Sequence, residues 1–237
     1  MYSLLSSKSK KKTIQQKVKY QLGQLAAAVL GAVEPHEQSE LPREYNFDAH
    51  VFHKQFASTH YGVMIPDLPE PYRYLSFAAV IGDVGTKITH TPFKLSGLEP
   101  ENTATLVHGT ALSHSAEAFR IYNIAEDMQF SRNTFRADFA DDASLYEQDG
   151  IYRVVSKLED LEVDLTLTPT PAITWFAHSK LYQHFSVLMT YKGHLIQQGE
   201  RVEVEGLCTL EHWKAISSSM LPSPLKPSNA LLPLDTF

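Results

Sequence analysis

Short segments in which apolar and polar residues alternate follow one another closely along most of the chain, and this spacing constrains the fold more than any other feature. In residues 161–168, leucine and valine alternate with acidic residues and threonine, which is the pattern of a strand with one buried face. The connections between such segments are too short to hold crossover helices, so neighbouring strands must run antiparallel. The sequence therefore predicts a mainly β protein in which an antiparallel meander curls into a barrel or a sandwich.

Turn residues separate the predicted strands. Asp149 and Gly150 fit a two-residue hairpin turn, because this dipeptide tolerates positive φ angles. We also predict turns at residues 192–193 and at Gly199, and a long loop over residues 169–183. The strands are predicted at residues 60–65, 74–81, 105–112, 119–124, 128–131, 134–139, 144–148, 151–158, 161–168, 184–191, 194–198 and 202–210.

Residues 1–45, which precede the β domain of residues 46–214, are predicted to form a basic helical arm. Lysines cluster in the first twenty residues, and apolar residues recur every three or four positions up to Val33. Pro35 should end the helix, because the residue before a proline disfavours helical geometry. In one interpretation the helix packs on its own domain. In the other, its lysines contact an anionic membrane surface.

Composition excludes several classes of protein and site. The net charge of -6 opposes a nucleic-acid partner, and the single cysteine, Cys208, excludes an internal disulfide. No phosphate-binding glycine loop or spaced His/Cys pattern is present, so we predict no cofactor and no metal. No apolar run approaches the roughly 20 residues of a membrane span. The mostly polar residues before Leu25 argue against a signal peptide, so we expect a cytoplasmic protein, with peripheral membrane contact as the alternative.

The region from Tyr182 to Trp213 has a distinctive layout. A strand over residues 182–191, a glycine hairpin and a Val-Xaa-Gly segment at 204–206 lead to Glu211, His212 and Trp213. This layout resembles the end of the first half of the bacterial AttH-like and carotenoid 1,2-hydratase families. The resemblance implies paired lipocalin-like β-barrels that bind hydrophobic ligands. In some members of these families it implies proton-driven hydration or cyclisation of isoprenoid-like substrates.

Little chain follows the resembling region. Residues 215–237 are rich in serine and proline and are predicted to form an irregular tail. The second barrel implied by the resemblance has no counterpart there. We therefore expect a truncated product of a two-barrel protein, and its oligomeric state is not predicted.

Two residues are predicted to carry proton-transfer chemistry. His212 is the candidate proton donor or acceptor beside an apolar pocket, with Glu211 as its acidic neighbour. Continuing the strand past Leu210 places His212 on the apolar face of Cys208 and places Glu211 and Trp213 on the opposite face. The structural alternative is a core histidine hydrogen-bonded to a backbone carbonyl.

Aromatic and histidine side chains around the predicted loop form a second group of candidates. Side chains at a barrel mouth either bind a ligand or cap the core. The candidate ligand-binding residues are Trp175, His178, Tyr182, His184 and Trp213.

Three functions remain open from the sequence. The leading hypothesis is a lipocalin-like protein that binds a lipophilic small molecule in an apolar cavity. The first alternative is a hydratase, cyclase or isomerase that acts by proton transfer on an isoprenoid-like substrate, with His212 as proton donor or acceptor. The second alternative is an inactive fragment of a two-barrel protein.

Overall fold

A computed structural model describes residues 36–38, 47–83, 98–114, 118–131 and 135–217. These residues contain one short helix, α1 (Ile124–Asp127), and two 3-10 turns, η1 (His50–Phe52) and η2 (Pro100–Asn102). The strands are β1 (His36–Gln38), β2 (Ser58–Ile65), β3 (Leu75–Gly82), β4 (Thr103–Thr110), β5 (Phe119–Asn123), β6 (Met128–Ser131), β7 (Arg136–Phe139), β8 (Ala143–Gln148), β9 (Ile151–Lys157), β10 (Leu161–His178), β11 (Tyr182–Gln197) and β12 (Glu200–Ala215).

The strands form one antiparallel sheet in the order β5-β4-β3-β2-β12-β11-β10-β9-β8-β7-β6, and β1 pairs with β10 outside this path. The first and last strands of this order, β5 and β6, are consecutive in sequence and are joined by the four-residue helix α1. The Tyr122 hydroxyl of β5 donates at 2.8 Å to Asp142, in the turn between β7 and β8, and so ties the two ends of the sheet together. The predicted antiparallel meander is therefore confirmed as a nearly closed barrel of eleven strands.

Apolar residues point inward because side chains alternate along each strand. In β10 the buried residues Leu161, Val163, Leu165 and Leu167 alternate with half-buried polar residues, as the sequence predicted. A residue without accessible surface has no water-sized void beside it, so the middle of the barrel is solidly packed. The interior residues with 0% exposure include Val63, Phe77, Ala79, Ile81, Leu106, Phe139, Val154, Val187, Leu210 and His212.

The predicted loop at residues 169–183 is wrong. Strand β10 continues to His178 and β11 begins at Tyr182, so only residues 179–181 connect them. The prolines at 169 and 171 suggested a break, but a register shift between Pro169 and Ile173 accommodates them within the strand. The tertiary pairing with β11 therefore overrides the local turn signal.

The predicted turn at Lys192 and Gly193 is also wrong, because both residues lie inside β11. Gly193 pairs with Leu165, and a β-carbon on Gly193 would lie 2.0 Å from the backbone oxygen of Asp164. Glycine is needed here because two backbones approach closely. In contrast, the predicted turns at residues 149–150 and at Gly199 are confirmed, and the second also includes Gln198.

The predicted helical arm and most of the predicted tail lie outside the described residues. Of residues 1–45 the structure describes only β1, which pairs through residues 36–38 with residues 173–175 of β10. In the tail, residues 218–237 are outside the described part. Among the described residues, no helix has the length and apolar character needed to cross a membrane.

We predict that Gly193→Ala lowers the free energy of unfolding by more than about 2 kcal/mol, because the Asp164 carbonyl must move to admit the methyl group. Chemical denaturation would measure the loss. Gly150→Ala is the matched control: its φ of 79° is strained but no atom lies within 4 Å of the added carbon. It should cost only about 1 kcal/mol. Equal losses in the two variants would contradict the proposed clash.

A buried histidine predicts how stability depends on pH. His108 is 1% exposed; its Nδ1 donates to the backbone oxygen of Ser76 at 2.9 Å, and its Nε2 accepts from the Ser156 hydroxyl at 2.7 Å. Burial lowers the pKa of His108 from 6.5 to about 4. The unfolded chain therefore binds a proton near pH 6.5, whereas His108 in the folded chain stays neutral down to a pH of about 4. The free energy of unfolding falls as the pH drops from 6.5 to about 4.

We predict that His108 accounts for about 2 kcal/mol of the stability lost between pH 7.5 and pH 5. Denaturation curves of the wild type and of His108→Gln at both pH values would measure this contribution. The variant should be less stable at pH 7.5 but should lose less on acidification. An unchanged pH dependence in the variant would show that His108 does not contribute.

Candidate functional site

His212 faces the barrel interior, on the side of β12 that also carries Cys208 and Leu210, as the sequence predicted. Its ring stacks on Tyr61, with centroids 5.1 Å apart and planes 17° apart. Phe47 and Phe185 lie at 5.6 Å and 5.5 Å from the same imidazole. His212 therefore sits among aromatic rings, with no accessible surface of its own.

The hydrogen bonds of His212 fix its tautomer. Nδ1 lies 3.0 Å from the backbone oxygen of His60 and must donate to it, because a carbonyl only accepts. Nε2 then carries a lone pair, and no described group donates to it. Burial and the neighbouring positive charge of Lys214 hold the pKa of His212 well below its ordinary value. His212 is therefore a neutral base enclosed in the core.

Glu211 and Trp213 lie on the opposite face of β12, together with side chains of neighbouring strands. Trp213 pairs with His184 of β11 on one side and with His60 of β2 on the other, so these residues form a row across three strands. We use the name outer-face cluster for this group of half-buried residues. It consists of His60, Phe176, Tyr182, His184, Glu211 and Trp213.

A chain of hydrogen bonds runs through the outer-face cluster. Nε2 of His184 donates to Oε1 of Glu211 at 2.7 Å, since the carboxylate accepts. The other ring nitrogen, Nδ1, lies 2.9 Å from the hydroxyl of Tyr182 and accepts a hydrogen bond from it. Tyr182 thus fixes the orientation of His184, and His184 holds the carboxylate.

His60 approaches the same carboxylate from the other side. Its Nε2 lies 3.7 Å from Oε1 of Glu211, and its Nδ1 donates to the backbone oxygen of Ala79 at 2.8 Å. Gly62 lies opposite Glu211, where a β-carbon would be only 2.8 Å from Nε2 of His60. The absent side chain at Gly62 therefore lets the imidazole of His60 lie over the strand backbone beside Glu211.

Burial and hydrogen bonding set the charges of the cluster. The hydrogen bond from His184 holds the pKa of Glu211 below its ordinary value. Burial lowers the pKa of His60, which outweighs the opposing effect of the Glu211 charge. Burial, followed by the Glu211 charge, raises the pKa of Tyr182 to about 12. At neutral pH the site therefore contains a carboxylate, a neutral His60 and a protonated phenol.

Aromatic rings border these polar groups. The Trp213 ring stacks on His60 at 5.7 Å, with Tyr182 6.2 Å from Trp213. Phe176 lies 4.5 Å from the ring of His184. The side chains of His60, His184 and Glu211 are 14%, 18% and 30% exposed, so the cluster can be reached from solvent but is only partly hydrated. Such a surface can contact an apolar ligand and bind a polar group at the same time.

Of the seven site residues predicted from the sequence, the structure brings four together and leaves three outside the outer-face cluster. Tyr182, His184, Glu211 and Trp213 converge in the outer-face cluster, whereas His212 lies behind them in the core. Trp175 and His178 stack on each other at 4.3 Å, and Trp175 also contacts Phe185, which faces inward. His60 and Gly62 were not predicted from the sequence, because only the pairing of β2 with β12 brings them to this site. The extension of β10 brings Phe176 to it.

An acidic depression in the described part of the barrel does not form a comparable site. A depression of about 570 Å³ lies over β6 to β9 and is bordered by the acidic residues Asp138 and Asp142. Asp138 is bound by Arg136 and Ser144, and Asp142 by Tyr122. Within the described ranges, no three His, Cys, Asp or Glu side chains form a group suited to a metal ion.

Comparisons with known proteins place the chain in a family. No curated protein matches it. A crystal structure of a putative AttH from Nitrosomonas europaea is similar at 18% identity, with a TM-score of 0.47, over 75% of this chain and 56% of that one. The chain thus spans little more than half the length of that protein. Residues 78–237 match DUF6670, so the chain belongs to DUF6670, a family of unknown function.

Proposed function

We propose that this protein binds a lipophilic small molecule at the outer-face cluster. The observation that supports this proposal is the arrangement of Trp213, Tyr182 and Phe176 around the half-buried pair His184 and Glu211. The interior is a poor location for the ligand, because the central side chains have no accessible surface. The lipocalin-like barrel therefore serves as a rigid support for a site on its outer wall.

The energetics favour an amphipathic ligand. Covering about 100 Å² of exposed aromatic surface contributes about 2.5 kcal/mol. The polar end of the ligand must replace the water that now hydrates Glu211 and His60, because an unpaired polar group would oppose binding. An apolar body with one polar end satisfies both requirements.

Binding of 1-octanol to the full-length, untagged protein tests the proposal. We expect saturable heat in isothermal titration calorimetry and a change in the emission of Trp213. Trp213→Ala should weaken binding about tenfold, because it removes the largest aromatic surface of the site. Trp175→Phe is the matched control, since the only other tryptophan of the chain lies outside the cluster, and it should bind as the wild type does. Absence of binding, or equal affinity in Trp213→Ala, would contradict the proposal.

A second candidate function is proton transfer on an isoprenoid-like substrate, with His212 as the proton acceptor. The lone pair on Nε2 favours it, because this nitrogen is a free base surrounded by aromatic faces that stabilise a positive charge. A substrate would reach Nε2 only if the packed rings around it moved apart. An unpaired buried nitrogen also costs stability, so a purely structural role would be better filled by an apolar ring.

We therefore predict that His212→Phe leaves the free energy of unfolding within about 1 kcal/mol of the wild type or raises it, whereas His212→Ala lowers it by about 3 kcal/mol. Urea denaturation at pH 7.5 would measure both. A large loss in His212→Phe would instead assign a structural role to the Nδ1 hydrogen bond with His60. In that case the proposal that His212 takes part in proton transfer would lose its support.

A further inference from the structure

Two hydrogen-bond acceptors face each other in the outer-face cluster without a donor between them. Nε2 of His60 carries a lone pair, because the proton of this neutral ring is on Nδ1 and is donated to Ala79. Oε1 of Glu211 lies 3.7 Å away and belongs to an ionised carboxylate. Two acceptors at this distance repel each other, and a group that donates to both would relieve the repulsion.

Gly62 lets the two acceptors lie side by side. Its φ angle is not in the left-handed region, so the backbone does not require glycine at this position. Instead, an added β-carbon would lie 2.8 Å from Nε2 of His60 and 3.4 Å from Cβ of Glu211, so the His60 ring already occupies the place of a side chain over the buried Gly62. Both acceptors can be reached from solvent, because the side chains of His60 and Glu211 are 14% and 30% exposed.

We infer that the ligand of the outer-face cluster carries a primary ammonium group that donates to both Glu211 and His60; this inference rests on the proposed function. An ammonium has three donors and no acceptor, so it can bond to both groups and keep one donor for water. An alcohol has a single proton to donate and could bond to only one of the two groups. A carboxylic acid in its ionised form would be repelled by Glu211.

The surroundings suit a cation. Trp213 and Tyr182 present aromatic rings near His60 and Glu211, and the face of such a ring attracts a positive charge. The half-buried Glu211 carboxylate gives a charge-assisted hydrogen bond, which is stronger than a neutral one. The net charge of the chain, -6, adds a weak attraction for cations at long range. The ligand is thus a lipophilic amine, with an apolar body on the aromatic rings.

The test compares octylammonium with 1-octanol, which have the same chain length, by titration calorimetry at pH 8 with full-length, untagged protein. We expect octylammonium to bind at least about tenfold more tightly. In Glu211→Gln the preference should fall to less than about threefold, while 1-octanol should still bind. Glu203→Gln is the matched control, because Glu203 is an exposed carboxylate on the same strand and its removal changes the net charge equally.

A second variant tests the position of His60. Gly62→Ala should weaken octylammonium binding by about tenfold, because the methyl group must push Nε2 of His60 out of its place beside Glu211. Circular dichroism and the melting temperature establish that the variant is folded. Unchanged affinity for octylammonium in a folded Gly62→Ala protein would overturn the assignment of the ammonium to His60 and Glu211.

The outcomes separate this inference from the proposed function. If 1-octanol binds and octylammonium binds no more tightly, the ammonium assignment is wrong and the proposed function stands. If the preference for the amine survives in Glu211→Gln, the carboxylate is not its partner and the assignment is also wrong. If neither compound binds, both the inference and the proposed function are overturned.

Discussion

The antiparallel pairing of β2 with β12 is the contact on which the rest of this structure depends. It joins residues 58–64 to residues 209–215 and so connects the two arms of the meander into one nearly closed sheet. The same pairing brings the backbone oxygen of His60 to the imidazole of His212, which is 152 positions away in the chain. It also places the His60 side chain against Trp213 and Glu211 on the outer wall. One register of hydrogen bonds therefore creates both the core environment of His212 and the candidate binding site.

Two consecutive residues of β12 show how strongly the face of a strand determines chemistry. Glu211 points outward and lies among half-buried polar side chains, where a hydrogen bond from His184 keeps its carboxylate ionised. His212 points inward among aromatic rings, where burial keeps it neutral. A shift of one residue in the pairing would exchange their environments, placing a carboxylate in the dry core. The glutamate and the histidine are neighbours in sequence, yet they cannot act on the same atom of a ligand.

The packing of the barrel determines where a ligand is expected. Large side chains fill the centre, so the wall rather than the lumen offers accessible aromatic surface. Two glycines contribute to this wall in different ways. Gly193 permits close contact between the backbones of β10 and β11, whereas Gly62 admits the imidazole of His60 next to Glu211. From the sequence, the first glycine indicated a turn and the second gave no signal, because each role depends on pairing with a strand that is distant in the chain.

The sequence by itself determined the class of fold, the antiparallel meander and the turns at residues 149–150 and at Gly199. It also determined that Glu211 and His212 lie on opposite faces of their strand. These features follow from local alternation and turn chemistry, which are readable over a few residues. Only the tertiary structure decided that β10 and β11 are long continuous strands, because cross-strand pairing absorbs the prolines and Gly193. It alone brought His60 and Phe176 to Tyr182, His184 and Glu211. That assembly depends on which strands pair and in which register, and no local pattern in the chain encodes either choice.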